Sequence, residues 1–222
     1  MLNLTSSLDS SGRFSFTKEK VVVAYFGCFN PPTYGHIHAA TISYDFLCQK
    51  GFDVLKVVII PAHSQYGKPG LLDPMTRVQM CKIATEGMPF LEVDDVEAKL
   101  DHWSRSIDTI HYLKDKYKAR VIMLCGIDLV EQFDTKWREP DVIQIITEGI
   151  IVLPRQGYDT DIEKASKFIP GRLENIFLIP ENPLSAISST LIRTKIRENE
   201  HIFGLIPLKL IDFINEHQYY RT

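Results

Sequence analysis

No stretch of this chain stays apolar for the roughly 20 residues that a membrane span requires. Positive charge is not in excess either. Lys and Arg number 25 against 28 Asp and Glu, a net charge of −3, so no global basic field recruits nucleic acid or an anionic membrane. Cysteine is sparse. Cys28, Cys48, Cys81 and Cys125 form no C-x-x-C pair, and three lie in or beside apolar runs. That points to buried free thiols in a reducing compartment rather than a disulfide or zinc framework. The P-loop pattern G-x-x-x-x-G-K-[ST] is missing, and so is the dinucleotide fingerprint G-x-G-x-x-G. Both absences count against a P-loop kinase and a Rossmann dehydrogenase. There is no internal repeat and no low-complexity linker. Residues 1–20 are polar and Ser-rich and lack the apolar core of a secretion signal, so they are expected to be a flexible tail. Nothing routes the chain elsewhere, which makes the cytoplasm or nucleus the expected compartment.

What is present suits one α/β domain. A chain of 222 residues with 45% hydrophobic content can build a core that folds without staples. Short β-branched and aromatic runs predict strands at 21–26, 55–60, 90–93, 120–125, 149–153 and 176–179. Helical patterns predict helices at 35–49, 74–86, 104–117, 128–133, 141–147, 161–168, 189–198 and 207–216, with Asp73 capping Pro74 and Ser104 as a further cap. Strands alternating with helices imply a doubly wound parallel sheet covered on both faces, with a short C-terminal helical part, in a single domain over 21–222. Ligands of such sheets sit at the carboxyl ends of the strands, here the loops after Phe26, Ile60, Val93, Cys125 and Ile179.

Two segments carry chemistry. The first reads Gly27-Cys28-Phe29-Asn30-Pro31-Pro32-Thr33-Tyr34-Gly35-His36. Gly27 permits close backbone approach to a ligand, the prolines stiffen the loop, and Thr33 and His36 fall where a helix begins. Backbone N–H groups there favour an anion, and His36 adds a movable positive charge or a donor. The same stretch also serves as an ordinary strand-to-helix turn capped by Thr33. The second segment is Ile187-Ser188-Ser189-Thr190-Leu191-Ile192-Arg193. Its hydroxyls can cap a helix and donate to phosphate, and Arg193 shares a helix face with Ser189, ready to clamp an anion with two donors. A capped surface helix with a solvated arginine reads the same way in isolation.

Taken together the two segments resemble the nicotinamide-mononucleotide adenylyltransferases of the eukaryotic-type branch. The family pattern G-x-F-N-P-x-T-x-x-H matches Gly27 to His36, and I-S-[SA]-T-x-[IV]-R matches Ile187 to Arg193. Leu124-Cys125-Gly126-Ile127-Asp128 is similar to the family's L-C-G-x-D loop, Tyr66-Gly67-Lys68 to its Y-G-K loop, and Trp137-Arg138 to its L-W-K segment. The likeness runs from about Val21 to Tyr220, nearly the whole chain.

The resemblance implies a Rossmann-like nucleotidyltransferase fold and transfer of AMP from ATP to nicotinamide or nicotinate mononucleotide. The products would be NAD or its deamido form and pyrophosphate, a step of pyridine nucleotide biosynthesis. It implies His36 and Arg193 as catalytic groups, with Gly27, Cys28, Phe29, Thr33, Gly35, Gly126, Asp128, Ser188, Ser189 and Thr190 around ATP. Lys68, Trp137, Glu97 and Trp103 would meet the mononucleotide. Magnesium would come with the ATP phosphates, keeping most of its waters, and no metal is expected on protein side chains. His36 and His38, two apart on a helix, point in different directions. Where the family often has D-x-W-E this chain has Asp94-Asp95-Val96-Glu97, so Val96 occupies the place of one stacking ring, and nearby Trp103 either substitutes or simply packs. A related transferase acting on phosphopantetheine, FMN or a phospho-alcohol, and a non-catalytic nucleotide-binding scaffold or chaperone, are the competing readings. The sequence does not fix the oligomeric state, and a homo-oligomer is among the expected partners.

Overall fold

The computed structural model describes residues 4–8, 14–63, 70–155, 157–158 and 161–221. Two short strands, β1 (Leu4–Leu8) and β2 (Phe14–Lys18), pair antiparallel, with Leu4 opposite Lys18 and Leu8 opposite Phe14. The pairing lies within residues 1–20, where a flexible tail was expected. Phe14-Ser15-Phe16-Thr17-Lys18 alternates with the period of a strand, a signal that the surrounding serines obscure.

The rest alternates as expected. β3 (Lys20–Gly27) leads to α1 (Tyr34–Gln49), β4 (Asp53–Pro61), α2 (Pro74–Ala84), β5 (Leu91–Val93), α3 (Val96–Lys99) and α4 (Ser106–Tyr117). Then come β6 (Arg120–Gly126), α5 (Ile127–Val130), α6 (Phe133–Lys136), α7 (Glu139–Glu148), β7 (Ile150–Leu153), α8 (Ile162–Ala165), β8 (Ile176–Leu178), α9 (Ser189–Arg197) and α10 (Leu208–Glu216). Six strands form one parallel sheet in the order β5-β4-β3-β6-β7-β8. The chain winds outward from β3 to β5, returns through α4, and continues outward from β6 to β8. The order therefore reverses between β3 and β6, the crevice in which doubly wound sheets take ligands.

Alternation along β3 sets the two layers. Val22 and Ala24 pack with Ile107, Ile110 and Leu113 of α4 and Val142 and Ile145 of α7. Val21 and Val23 face the other way, onto Ala39, Ala40 and Leu47 of α1 and Cys81 of α2. A third cluster joins Ile37 and Met80 to Ile192, Ile196, Leu210 and Ile214, fastening α9 and α10 onto the α1 and α2 side. All of these core side chains are at most 8% exposed, and burying each contributes roughly 1.5–3 kcal/mol for the larger apolar types.

Local signals explain most boundaries. Asp73 Oδ1 accepts from the N–H groups of Met75 and Thr76 at 2.9 and 3.2 Å, and Pro74 occupies the first turn of α2. Ser104 does not cap as expected. α4 starts two residues later with Arg105 at the cap position, where the Asp108 carboxylate accepts from Arg105 Nε at 3.0 Å, and the Ser104 hydroxyl is buried without a partner. The helix expected over 161–168 is only the single turn α8, because Ser166 donates to Asp134 Oδ1 at 2.6 Å and leaves the helical path. The turn α3 was not anticipated; Asp94 Oδ1 accepts from Val96 N–H at 2.9 Å to start it.

Candidate active site

A cavity of about 930 Å³ opens at the carboxyl ends of β3, β6 and β7. Its first wall is the loop from Gly27 to His36. Phe29 adopts a left-handed backbone, φ 46°, and turns its ring inward, edge-on to Tyr25 at 5.3 Å. A Cβ on Gly27 would lie 2.9 Å from that ring, so the glycine is needed for Phe29 to fold under the loop. Buried Arg77 donates to the carbonyls of Cys28 at 2.8 Å, Leu72 at 2.9 Å and Ala62 at 2.5 Å, tying the loops after β3 and β4 together from below.

His36 is held in one tautomer. Its Nδ1 accepts from the Thr33 backbone N–H at 3.0 Å, within a reciprocal capping box at the start of α1. The ring proton therefore resides on Nε2, as assigned from this network. Burial against Tyr25 and Phe29 lowers the imidazole pKa to about 4, and the nearby Arg155 guanidinium pushes in the same direction. Of the two roles expected for His36, these surroundings favour the neutral N–H donor over a positive charge. Thr33, expected at the phosphates, is fully buried and does not line the cavity. Its hydroxyl donates to the Ile187 carbonyl at 2.9 Å, which joins the two signature segments.

The second wall is the start of α9. Ser188 caps it, accepting from Leu191 N–H at 3.2 Å. Ser189 donates to the Pro31 carbonyl at 2.7 Å, and Arg193 Nη1 to the Asn30 carbonyl at 2.8 Å. Thr190 is exposed at the rim and accepts from Arg193 Nη2 at 3.3 Å. Gly35 makes this contact between walls possible. A Cβ there would lie 2.5 Å from the Ile187 carbonyl and 2.8 Å from that of Leu184.

The opposite end is built differently. Gly126 ends β6, and a side chain on it would overlap the Asp128 carboxylate. Asp128 pairs with Arg155 Nε at 3.2 Å. Glu97 lines the cavity, is 6% exposed, and accepts from Thr109 Oγ1 at 2.8 Å; burial raises its carboxyl to about 7. Trp103 stands at the mouth, 55% exposed, and Trp137 is half-buried, edge-on to Phe133 at 5.3 Å. Both line the cavity, as do Cys28 and Phe29. Lys68 lies outside the described residues.

Sequence reasoning missed Arg155, which faces the same cavity from the loop after β7. That loop was not among the strand ends singled out, although Pro154-Arg155 directly follows an apolar run. Arg105 was missed as well. It lines the cavity while paired with Asp108 and Asp141 at 2.7 and 3.1 Å.

The profile of the cytidylyltransferase-like family matches residues 24–195. A nicotinamide/nicotinic acid mononucleotide adenylyltransferase of Oryza sativa subsp. japonica is 31% identical over 95% of this chain and 90% of its own. A protein of the same name from Arabidopsis thaliana is 28% identical over 95% and 94%. Among solved structures, the nicotinic acid mononucleotide adenylyltransferase of Plasmodium falciparum complexed with NaAD superposes with a TM-score of 0.70 at 19% identity, covering 91% of this chain and 98% of that one, a likeness of fold.

Proposed function

The chain belongs to the cytidylyltransferase-like family and, within it, to the nicotinamide/nicotinic acid mononucleotide adenylyltransferases, and on that premise we propose that it transfers AMP from MgATP to nicotinamide or nicotinate mononucleotide. The products are NAD or deamido-NAD and pyrophosphate. One observation carries the reading: Gly27–His36 and Ile187–Arg193, far apart in sequence, are bonded into one cradle at the sheet's switch point, with Arg193 reaching Asn30 across 163 positions. The unit doing this is residues 21–222, and the lack of a disulfide among the described cysteines favours the cytoplasm or nucleus. Among the described residues no helix is long and apolar enough to cross a membrane.

A phosphate oxygen of the mononucleotide attacks the α-phosphorus of ATP. A new P–O bond forms, the bond from the α-phosphorus to the bridging oxygen breaks, and that oxygen leaves with pyrophosphate. The second pKa of the attacking phosphate is near 6, so it is largely dianionic at neutral pH and needs no general base. The protein's work is to align the two phosphates and stabilise the charge that develops. His36 Nε2–H donates to phosphate oxygen from a ring that the Thr33 backbone N–H holds in place. Arg193 and Arg155 supply positive charge from two sides. Asp128 is assigned to the adenosine ribose, which would displace it from Arg155 and leave that guanidinium available to phosphate. Trp137, Trp103, Glu97 and Lys68 are assigned to the mononucleotide.

The test is pyrophosphate and dinucleotide formation from ATP and magnesium, with each mononucleotide offered separately. His36→Ala should lower turnover by about 10²–10³, the scale of losing one electrostatic donor. Near-normal turnover in that variant would remove His36 from the mechanism. No product with either acceptor, despite ATP binding, would reject the pyridine mononucleotide as substrate.

A further inference from the structure

We propose that Tyr220, close to the carboxyl end, is a positioning residue for the triphosphate site and acts through Asn30 on the guanidinium of Arg193. The inference rests on the assignment of Arg193 to ATP phosphates. Tyr220 follows α10 in a left-handed conformation, φ 63°, and so leaves the helix direction and turns back toward the sheet. Its hydroxyl donates to Asn30 Oδ1 at 2.8 Å, across 190 positions of sequence, with Met80 Sδ at 3.6 Å.

Asn30 is 3% exposed, and its amide has no freedom to reverse. Nδ2 donates to the Gly70 carbonyl at 2.9 Å, while Oδ1 accepts from Tyr220 and, over a longer 3.3 Å, from Leu72 N–H. The main-chain carbonyl of the same residue accepts from Arg193 Nη1 at 2.8 Å. The hydroxyl of Tyr220 and the guanidinium of Arg193 therefore meet at two ends of one buried residue. A further bond of Arg193, from Nη2 to Thr190, is long at 3.3 Å and exposed. Asn30 is thus the principal anchor of the group that has to stay planar to an incoming phosphate. Without the tyrosine hydroxyl, Oδ1 keeps only its weaker partner, and a buried acceptor left partly unsatisfied shifts until it finds another. The tyrosine ring packs with the cluster formed by α2, α9 and α10, a contact that phenylalanine retains.

Tyr220→Phe therefore isolates the hydroxyl. In the full chain it should weaken ATP binding, measured by calorimetry, and raise the KM for ATP by about threefold to tenfold, the worth of one buried hydrogen bond. The KM for the mononucleotide should stay within about twofold. In an Arg193→Ala background the same change should add less than about twofold, because the group it orients is gone. A purely structural tyrosine predicts a lowered melting temperature with unchanged ATP affinity, and that result overturns the proposal. So does an equal loss in both backgrounds. If the wild-type protein binds ATP yet makes no dinucleotide, the functional reading fails, and the calorimetric comparison still decides for or against the tie.

Discussion

The two ends of the cavity are held in opposite ways. At the end formed by β3 and α9, the polar side chains of Asn30, Thr33, His36, Ser189 and Arg193 already have protein partners. At the other end, Trp103 is 55% exposed and Trp137 is half-buried. The difference follows from what each end has to do. Phosphates are the same in every turnover, and stabilising charge on them works best with donors that need no rearrangement. A flat ring must enter and leave, so its contacts gain from aromatic faces that remain accessible.

The sharpest way to break this contrast is at Gly35. Alanine there places a methyl group against two backbone carbonyls, at 2.5 and 2.8 Å, so the two walls must separate. A misplacement of about 1 Å costs on the order of 10²-fold in rate, and Gly35→Ala should lose that much kcat together with some melting temperature. Retained kcat would show that the closed cradle is unnecessary. At the open end the effect should be smaller and fall elsewhere. Trp103→Ala should raise the KM for the mononucleotide by about 2–10-fold, the range of one aromatic contact, with kcat unchanged. An equal effect from Trp137→Ala would mean two stacking faces. An effect of Trp137 alone would mean that Val96 has left this chain with only one.

The smallest effect concerns protons. Glu97 has its carboxyl raised from 4.5 to about 7, so between those values the folded protein holds the extra proton. Its stabilising contribution is present below pH 4.5 and is lost as pH rises through 7. Glu97→Gln removes this dependence. Its melting temperature relative to wild type should rise between pH 5 and pH 8 by about 2–4 °C, the scale of 1 kcal/mol in a chain of this length. His36 has the opposite sign. Its pKa falls from 6.5 to about 4, so its contribution is lost as pH drops through that interval, in wild type and variant alike. A flat difference between the two proteins would place the Glu97 carboxyl in water.

Most of the frame was legible because its signals are local. Asp73-Pro74, the β-branched runs and the alternation of strand with helix each need only a few neighbouring residues. The cradle was legible because its two segments carry dense, unusual residue types. What remained hidden depends on distant partners. Thr33 looks like a phosphate ligand until Ile187 is seen to take its hydroxyl. Arg155 stands alone in a short loop, and only the adjacency of β6 and β7 brings it beside Asp128. Tyr220 has the pattern of a packed terminus, and no spacing rule joins it to Asn30. The charge state of His36 was equally out of reach, since it depends on which rings enclose it.

The bond from Thr33 to Ile187 spans 154 positions, and that from Tyr220 to Asn30 spans 190. The cradle therefore depends on segments far apart in the chain and not on either one alone. Contacts of such long range form late and slowly, after the loop-closure entropy has been met. During synthesis the first wall waits, incomplete, until α9 and α10 dock beside it. ATP would then act as an inspector of assembly, favouring only molecules that are fully wound, by an amount set by its concentration relative to its dissociation constant.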